Sequence, residues 1–264
     1  MSGLNGAKRI VVKVGTSTLT YDTGKLNIRR VEKLVGVLSD LSNSGIQVAL
    51  VTSGAIGVGV GKLGLDSKPS DTPGRQAAAT VGQCELMFIY DKYFGEYGYP
   101  TGQLLITRDD LENGHRRSNL MNAFERLFEY GAVPIINEND AVAVEEIVFG
   151  DNDTLSAAVA ELIGAQGLII LTDIDGLYDR DPRTDPEASL IPVVHKIDEE
   201  ILALAGGSGT SRGTGGMVTK LHAAQLATAA GIPTVVMNGQ EPHDIYRLMD
   251  GHRFGTLFTP EKQN

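Results

Sequence analysis

Cysteine is nearly absent from this chain, with Cys84 the single example. That excludes a disulfide framework and a cysteine-rich zinc site. The five histidines, His115, His195, His222, His243 and His252, are scattered, and none has metal-ligand spacing. No apolar run approaches the length of a membrane span. Residues Met1 to Ala7 lack the apolar core of a secretory signal. A cytoplasmic protein with no membrane partner is therefore expected. Basic residues are the minority: 23 Lys and Arg against 33 Asp and Glu give a formal charge of -10. Duplex nucleic-acid binders usually carry a basic domain, so no nucleic-acid partner is expected. An anionic ligand must be held by a few placed cations and backbone amides rather than by the overall field.

What is present suits a globular fold. The 264 residues are 42% apolar and 21% charged, enough to bury a core without covalent staples. Short apolar runs at 10–14, 48–52, 102–107, 133–137, 168–172, 234–237 and 256–258 read as strands. Helical spacing marks 28–42, 75–94, 113–129, 154–163, 217–230 and 243–249. Residues 66–74 are turn-rich, and 144–149 reads as half of a hairpin. Strands alternating with helices predict a mostly parallel sheet covered on both faces. In such sheets ligands sit beyond the carboxyl ends of the strands.

Five strand ends carry the polar residues of interest. Lys13 lies among β-branched residues before Gly15-Thr16-Ser17. It needs an anion if the strand is central, or faces water if the strand is an edge. Thr52-Ser53-Gly54 opens a stretch of small residues that would let backbone N–H groups approach a ligand, or simply make a tight turn. Asn137-Glu138-Asn139-Asp140 places acceptors suited to an ammonium group, or forms a solvated turn. Gly150-Asp151-Asn152-Asp153 precedes a helix and on spacing alone reads as its cap and acidic first turn. Thr172-Asp173-Ile174-Asp175-Gly176 has a turn signal. The glycine-rich segment 206–216 leads into Met217-Val218-Thr219-Lys220. A cation there opposes the helix dipole and becomes sensible if phosphate sits at the helix start. Gly59-Val60-Gly61-Lys62-Leu63-Gly64 fits a dinucleotide fingerprint, but its strand ends too early and a loop follows.

No serine triad, cysteine–histidine pair or metal cluster is evident. Phosphoryl transfer needs none of these; it depends on positioning and charge neutralisation. A carboxylate acceptor is already ionised near neutral pH, since free Glu titrates near about 4.3, so it requires no general base.

Taken together, Val12-Lys13-Val14-Gly15-Thr16-Ser17, Thr52-Ser53-Gly54-Ala55-Ile56, Ile136-Asn137-Glu138-Asn139-Asp140, Gly150-Asp151-Asn152-Asp153, Thr172-Asp173-Ile174-Asp175-Gly176-Leu177-Tyr178 and Gly213-Thr214-Gly215-Gly216-Met217 resemble the amino-acid kinase family. The likeness is closest to its glutamate-phosphorylating branch. It implies a three-layer α/β/α sandwich over residues 8–258, with a polar tail at 259–264. The N-terminal lobe would bind L-glutamate and the C-terminal lobe ATP. The implied enzyme is a phosphotransferase with a carboxyl acceptor, using ATP and Mg²⁺ in the first step of proline synthesis. By motif, Lys13 and Lys220 would flank the migrating group, with Asp153 orienting both. Ser53, Asn137, Asp140 and Asn152 would bind glutamate, Asp140 through its α-ammonium. Lys13, Gly15, Gly54, Thr172, Asp173, Thr214, Gly215, Gly216, Met217, Val218, Thr219 and Lys220 would hold ATP. No residue is expected to ligate a metal directly, because Mg²⁺ would bridge phosphate oxygens and water.

Many relatives carry an added C-terminal domain of the RNA-modification (PUA) type, which is not seen here. The resemblance further implies feedback inhibition by proline around residues 66–90, a glutamyl-phosphate reductase that takes the product, and a homodimer or homotetramer. Competing readings are a same-fold kinase for aspartate or N-acetylglutamate, a non-catalytic amino-acid sensor, and an oxidoreductase resting on the 59–64 glycines alone.

Overall fold

A computed structural model describes residues 3–21, 25–142, 152–205 and 216–260. The hairpin expected at 144–149, most of the glycine-rich segment, Thr214 and Gly215 fall outside these residues.

The elements follow in order: β1 (Arg9–Val14), α1 (Thr16–Leu19), α2 (Ile28–Asn43), β2 (Gln47–Val51), α3 (Ala55–Leu63), α4 (Thr72–Glu96), β3 (Thr101–Ile106), α5 (Arg108–Glu112), α6 (Gly114–Glu129) and β4 (Val133–Glu138). After these come α7 (Asn152–Leu162), β5 (Gly167–Thr172), β6 (Val193–Val194), α8 (Glu199–Leu204), α9 (Met217–Ala229), β7 (Thr234–Asn238), α10 (Asp244–Met249) and β8 (Thr256–Phe258). The strands form one sheet in the order β3-β4-β2-β1-β5-β7-β8-β6. Neighbours from β3 to β7 are parallel, whereas β8 runs against β7 and pairs in parallel with β6.

Near-continuous apolar runs in β1, β2 and β5 have the composition of strands buried on both faces. Alternate residues divide between two cores. Val12, Leu50, Ile135 and Ile169 pack with Leu34 and Leu38 of α2 and Tyr90 and Phe94 of α4. Val11, Val51, Ile136 and Ile170 pack with Leu155 and Val159 of α7 and Leu221 and Ala224 of α9. This is the three-layer α/β/α arrangement predicted. Because β1 lies between β2 and β5, Lys13 sits opposite Val51 and Ile170 in the sheet centre. The edge-strand alternative is thereby removed, and the lysine is buried.

Several boundaries differ from the sequence reading, each for a local reason. Helix α4 starts inside the predicted loop because Asp71 caps it, its side chain accepting from Gly74 N–H at 2.9 Å, and Pro73 sits in its first turn. Proline is favoured there because it lacks an N–H that would go unpaired. The fingerprint-like glycines lie in and just after α3, not at a strand-to-helix turn. A Cβ on Gly59 would stand 1.8 Å from the Ala78 carbonyl oxygen, and one on Gly82 1.8 Å from that of Ala55. These two glycines permit a close α3–α4 crossing, a packing role rather than a nucleotide role. Strand β8 lies where it was expected, at Thr256–Phe258, whereas β6, with two residues, is too short to show a period.

Candidate active site

The buried end of Lys13 meets Asp153 at the start of α7. Lys13 Nζ lies 2.5 Å from Asp153 Oδ1, and Lys220 Nζ lies 3.2 Å from Asp153 Oδ2. The carboxylate is fully buried, and both lysines are nearly so. Thr219 Oγ donates to the same Oδ2 at 3.0 Å. That bond ties the first turn of α9 to α7, and the same hydroxyl also lies 2.8 Å from the carbonyl of Gly216, the residue that precedes α9. Burial alone would raise the Asp153 pKa, but the two ammonium groups and their hydrogen bonds win and hold it below the usual carboxylate range. Its place in the first turn of α7 favours the ionised form as well. Two ammonium groups share one carboxylate, so these three groups carry an excess of positive charge inside the fold. Such an excess is complementary to a polyanion.

Gly15 lies beside this cluster, and Gly54 packs against Thr16, the residue after Gly15. A Cβ on Gly15 would lie 3.6 Å from Lys13 Nζ. Gly54 precedes α3 with φ at +94°, a conformation that favours glycine. Thr172, at the end of β5, donates to Asp173 at 3.1 Å, and its carbonyl accepts from Gly239 N–H. Asp173 is exposed, as is Val218 on the first turn of α9.

Next to the charged cluster runs a chain of amides. Asn152 Nδ2 donates to Ser53 Oγ at 3.0 Å and to Asn137 Oδ1 at 2.9 Å. Asn137 Nδ2 donates to Gln83 Oε1 at 2.8 Å. Asn137 Oδ1 also accepts from Glu138 N–H at 3.0 Å. Below this chain, Tyr90 OH and Thr52 Oγ share a buried bond of 2.8 Å. Asp140 lies just past β4; burial raises its carboxyl pKa, and nearby Lys68 only partly opposes that.

The structure therefore brings Lys13, Lys220 and Asp153 together, and joins Ser53, Asn137 and Asn152 by hydrogen bonds. The Asn152–Asp153 peptide links the two groups. Gln83 escaped the sequence reading because it lies in the middle of a helix and belongs to no motif. The available signal was its place on the stripe Ala79, Leu86, Tyr90 and Phe94, which packs inward. Thr219, expected as a nucleotide contact, also serves Asp153. Among the described residues, no group of three His, Cys, Asp or Glu side chains could hold a metal. Both Asp153 oxygens face cations. This donor set fits a divalent ion that arrives with a nucleotide and keeps phosphate and water ligands.

With this geometry in place, the class is plain: residues 8–238 match the amino acid kinase family, and the chain belongs to it. A glutamate 5-kinase of Clostridium perfringens is 53% identical over 98% of both chains. One from Listeria monocytogenes is 52% identical, covering 98% of this chain and 96% of its own. The glutamate 5-kinase of Caldanaerobacter subterraneus is also 52% identical, over 96% of this chain but 68% of its own, and is thus the longer protein. Among solved structures, UMP kinase from Bacillus anthracis has a TM-score of 0.65 at 16% identity, covering 96% of each chain. The isopentenyl phosphate kinase of T. acidophilum also scores 0.65 at 16%, covering 95% of this chain and 99% of its own. These structures share the fold. Among the described residues, no helix is long and apolar enough to cross a membrane.

Proposed function

We propose that this chain transfers the γ-phosphoryl group of MgATP to the γ-carboxylate of L-glutamate, giving L-glutamyl 5-phosphate and ADP. The observation that carries this reading is the pair of buried ammonium groups sharing one carboxylate. A glutamate oxygen forms the new P–O bond while the bond from the γ-phosphorus to the bridging oxygen of ADP breaks. Lys13 and Lys220 neutralise charge on the migrating group, and Asp153 fixes their positions. The acceptor is ionised already, so no base is needed. Mg²⁺, when it arrives with the nucleotide, would neutralise phosphate charge.

On this reading, residues 8–258 form one kinase domain whose N-terminal half binds glutamate through Ser53, Asn137, Asp140 and Asn152. The C-terminal half binds ATP through Thr172, Asp173 and residues 214–220, with Lys13, Gly15 and Gly54 reaching the phosphates from the other side. The names of the relatives support glutamate as acceptor. The same reading includes a cytoplasmic homodimer or homotetramer, inhibition by proline, and a reductase consuming the labile acyl phosphate.

Hydroxylamine traps an acyl phosphate as a hydroxamate. With MgATP, product from glutamate and little from aspartate or N-acetylglutamate is expected. Product from N-acetylglutamate alone would reassign the acceptor, and nucleotide binding without product from any acid would point to a sensor.

A further inference from the structure

The polarity of the amide chain follows from a single backbone group. Glu138 N–H is a donor and points at the Asn137 side chain, so the Asn137 atom that receives it must be the oxygen. The other Asn137 atom is then its NH₂, and the Gln83 atom facing it must be an acceptor. The remaining terminal atom of Gln83 is therefore its NH₂ by elimination. That Nε2 is buried and makes no hydrogen bond. Gln83 is only 8% exposed, and an unpartnered buried donor at such a position is destabilising unless something accepts from it.

The same glutamine forms part of the wall of a cavity of about 330 Å³ between α4, β3 and the turn after β4. Asp140 and Asn139 line it from the turn, and Met87 and Leu105 supply apolar wall. The cavity wall thus carries two carboxylates, Asp140 and Glu138, and the glutamine whose buried N–H donor is unpaired. That glutamine starts a hydrogen-bonded chain that runs through Asn137 and Asn152, the neighbour of Asp153, to Ser53. A zwitterionic α-amino-acid head group is the complement: its ammonium suits Asp140 and its carboxylate suits the Gln83 amide.

We propose that Gln83 is a specificity-determining residue that donates through Nε2 to the substrate's α-carboxylate while its Oε1 holds Asn137. This deepens the reading above and rests on it. Aspartate-sized, glutamate-sized and N-acylated acids differ in what they can offer this donor and Asp140 together. The role differs from a purely structural one, in which only Oε1 would matter.

Gln83→Glu separates the two, because a glutamate still accepts from Asn137 but places an acceptor where Nε2 stood. The expected result in the hydroxamate assay is a glutamate KM raised about tenfold to a hundredfold, the scale of one hydrogen bond to a charged group, with kcat and the ATP KM little changed. 4-Aminobutyrate is glutamate without its α-carboxylate, and its KM (or its inhibition constant as a competitor) should be the same for wild type and variant. Gln83→Met, which removes both bonds, should raise the glutamate KM at least as far.

An unchanged glutamate KM in Gln83→Glu, with a raised KM in Gln83→Met, would overturn the donor role and leave Gln83 a structural prop. Should both variants fail to fold, wild type still decides: its kcat/KM for 4-aminobutyrate must fall at least about tenfold below that for glutamate, and equality would sink the proposal. Wild type making no hydroxamate from glutamate would overturn the functional reading itself, a result distinct from normal turnover with an indifferent Gln83.

Discussion

The two halves of the site are built from opposite materials. Around the Asp153 side chain charge dominates: two lysines and a hydroxyl meet one carboxylate, nearly sealed from water. Around Asn137 every contact is between neutral groups: three amides and a serine in a line. Charge acts strongly at short range and suits a reaction in which charge moves. Amides carry direction without field and suit recognition of shape and polarity. The two meet at one peptide bond, so a division of labour between rate and affinity can be tested one residue at a time.

The hardest blow falls on the charged half. Asp153→Asn leaves two ammonium groups buried without their carboxylate, and a loss of about 3–5 kcal/mol is expected, the scale for breaking a buried pair. Urea unfolding measures it. Because the folded-state pKa of Asp153 is depressed, its contribution is in place above the unfolded value of about 3.9 and is lost as pH falls through the lower folded value. The gap between wild type and variant should therefore persist at neutral pH and close only in strong acid.

Lys220→Ala comes next. Its kcat should drop by about 10²–10³, as when one transition-state donor is removed, with the glutamate KM nearly constant. A change confined to KM would erase the contrast between the halves.

Asp140→Asn should act the other way, raising the glutamate KM by about tenfold or more while the ATP KM holds. The pH dependence sharpens this. Burial raises the Asp140 pKa, so the wild-type glutamate KM should climb as pH falls through a value above the ordinary aspartate range near about 3.9. The asparagine variant should lack that limb, and a limb unchanged by the substitution would remove Asp140 from substrate binding.

The smallest effect is expected from Tyr90→Phe. It removes only the bond to Thr52 beneath the amides and should cost about 0.5–1.5 kcal/mol in thermal or urea unfolding. Both KM values should stay put.

Much of this was readable in advance. Apolar runs located β1, β2, β4 and β5, and strand ends located Lys13, Ser53, Asn137 and Thr172, because a parallel sheet puts its polar residues where the strands stop. Asp153 was harder. An acidic residue in a first helical turn is satisfied by the helix alone, so spacing did not single it out; the family motif did, and the meeting of β1 and α9 at the start of α7 brings the two lysines to it. Gln83 was invisible for a related reason: its partner is 54 positions away in sequence, and no local period encodes a partner. Helix α3 was obscured by glycines that weaken helix propensity, which tertiary contact with α4 overrides.

That contact has a further consequence. With no room for even a methyl group where Gly59 and Gly82 cross, and with Lys62 paired to Glu85 across the same two helices, α3 and α4 behave as one block. Gly54 caps this block at one point, and Gln83 follows Gly82 at another. On the proposed reading the first faces phosphate and the second faces the amino-acid head, so their spacing works as a fixed gauge for acceptor length, and an acid one methylene short would have to let go of one end.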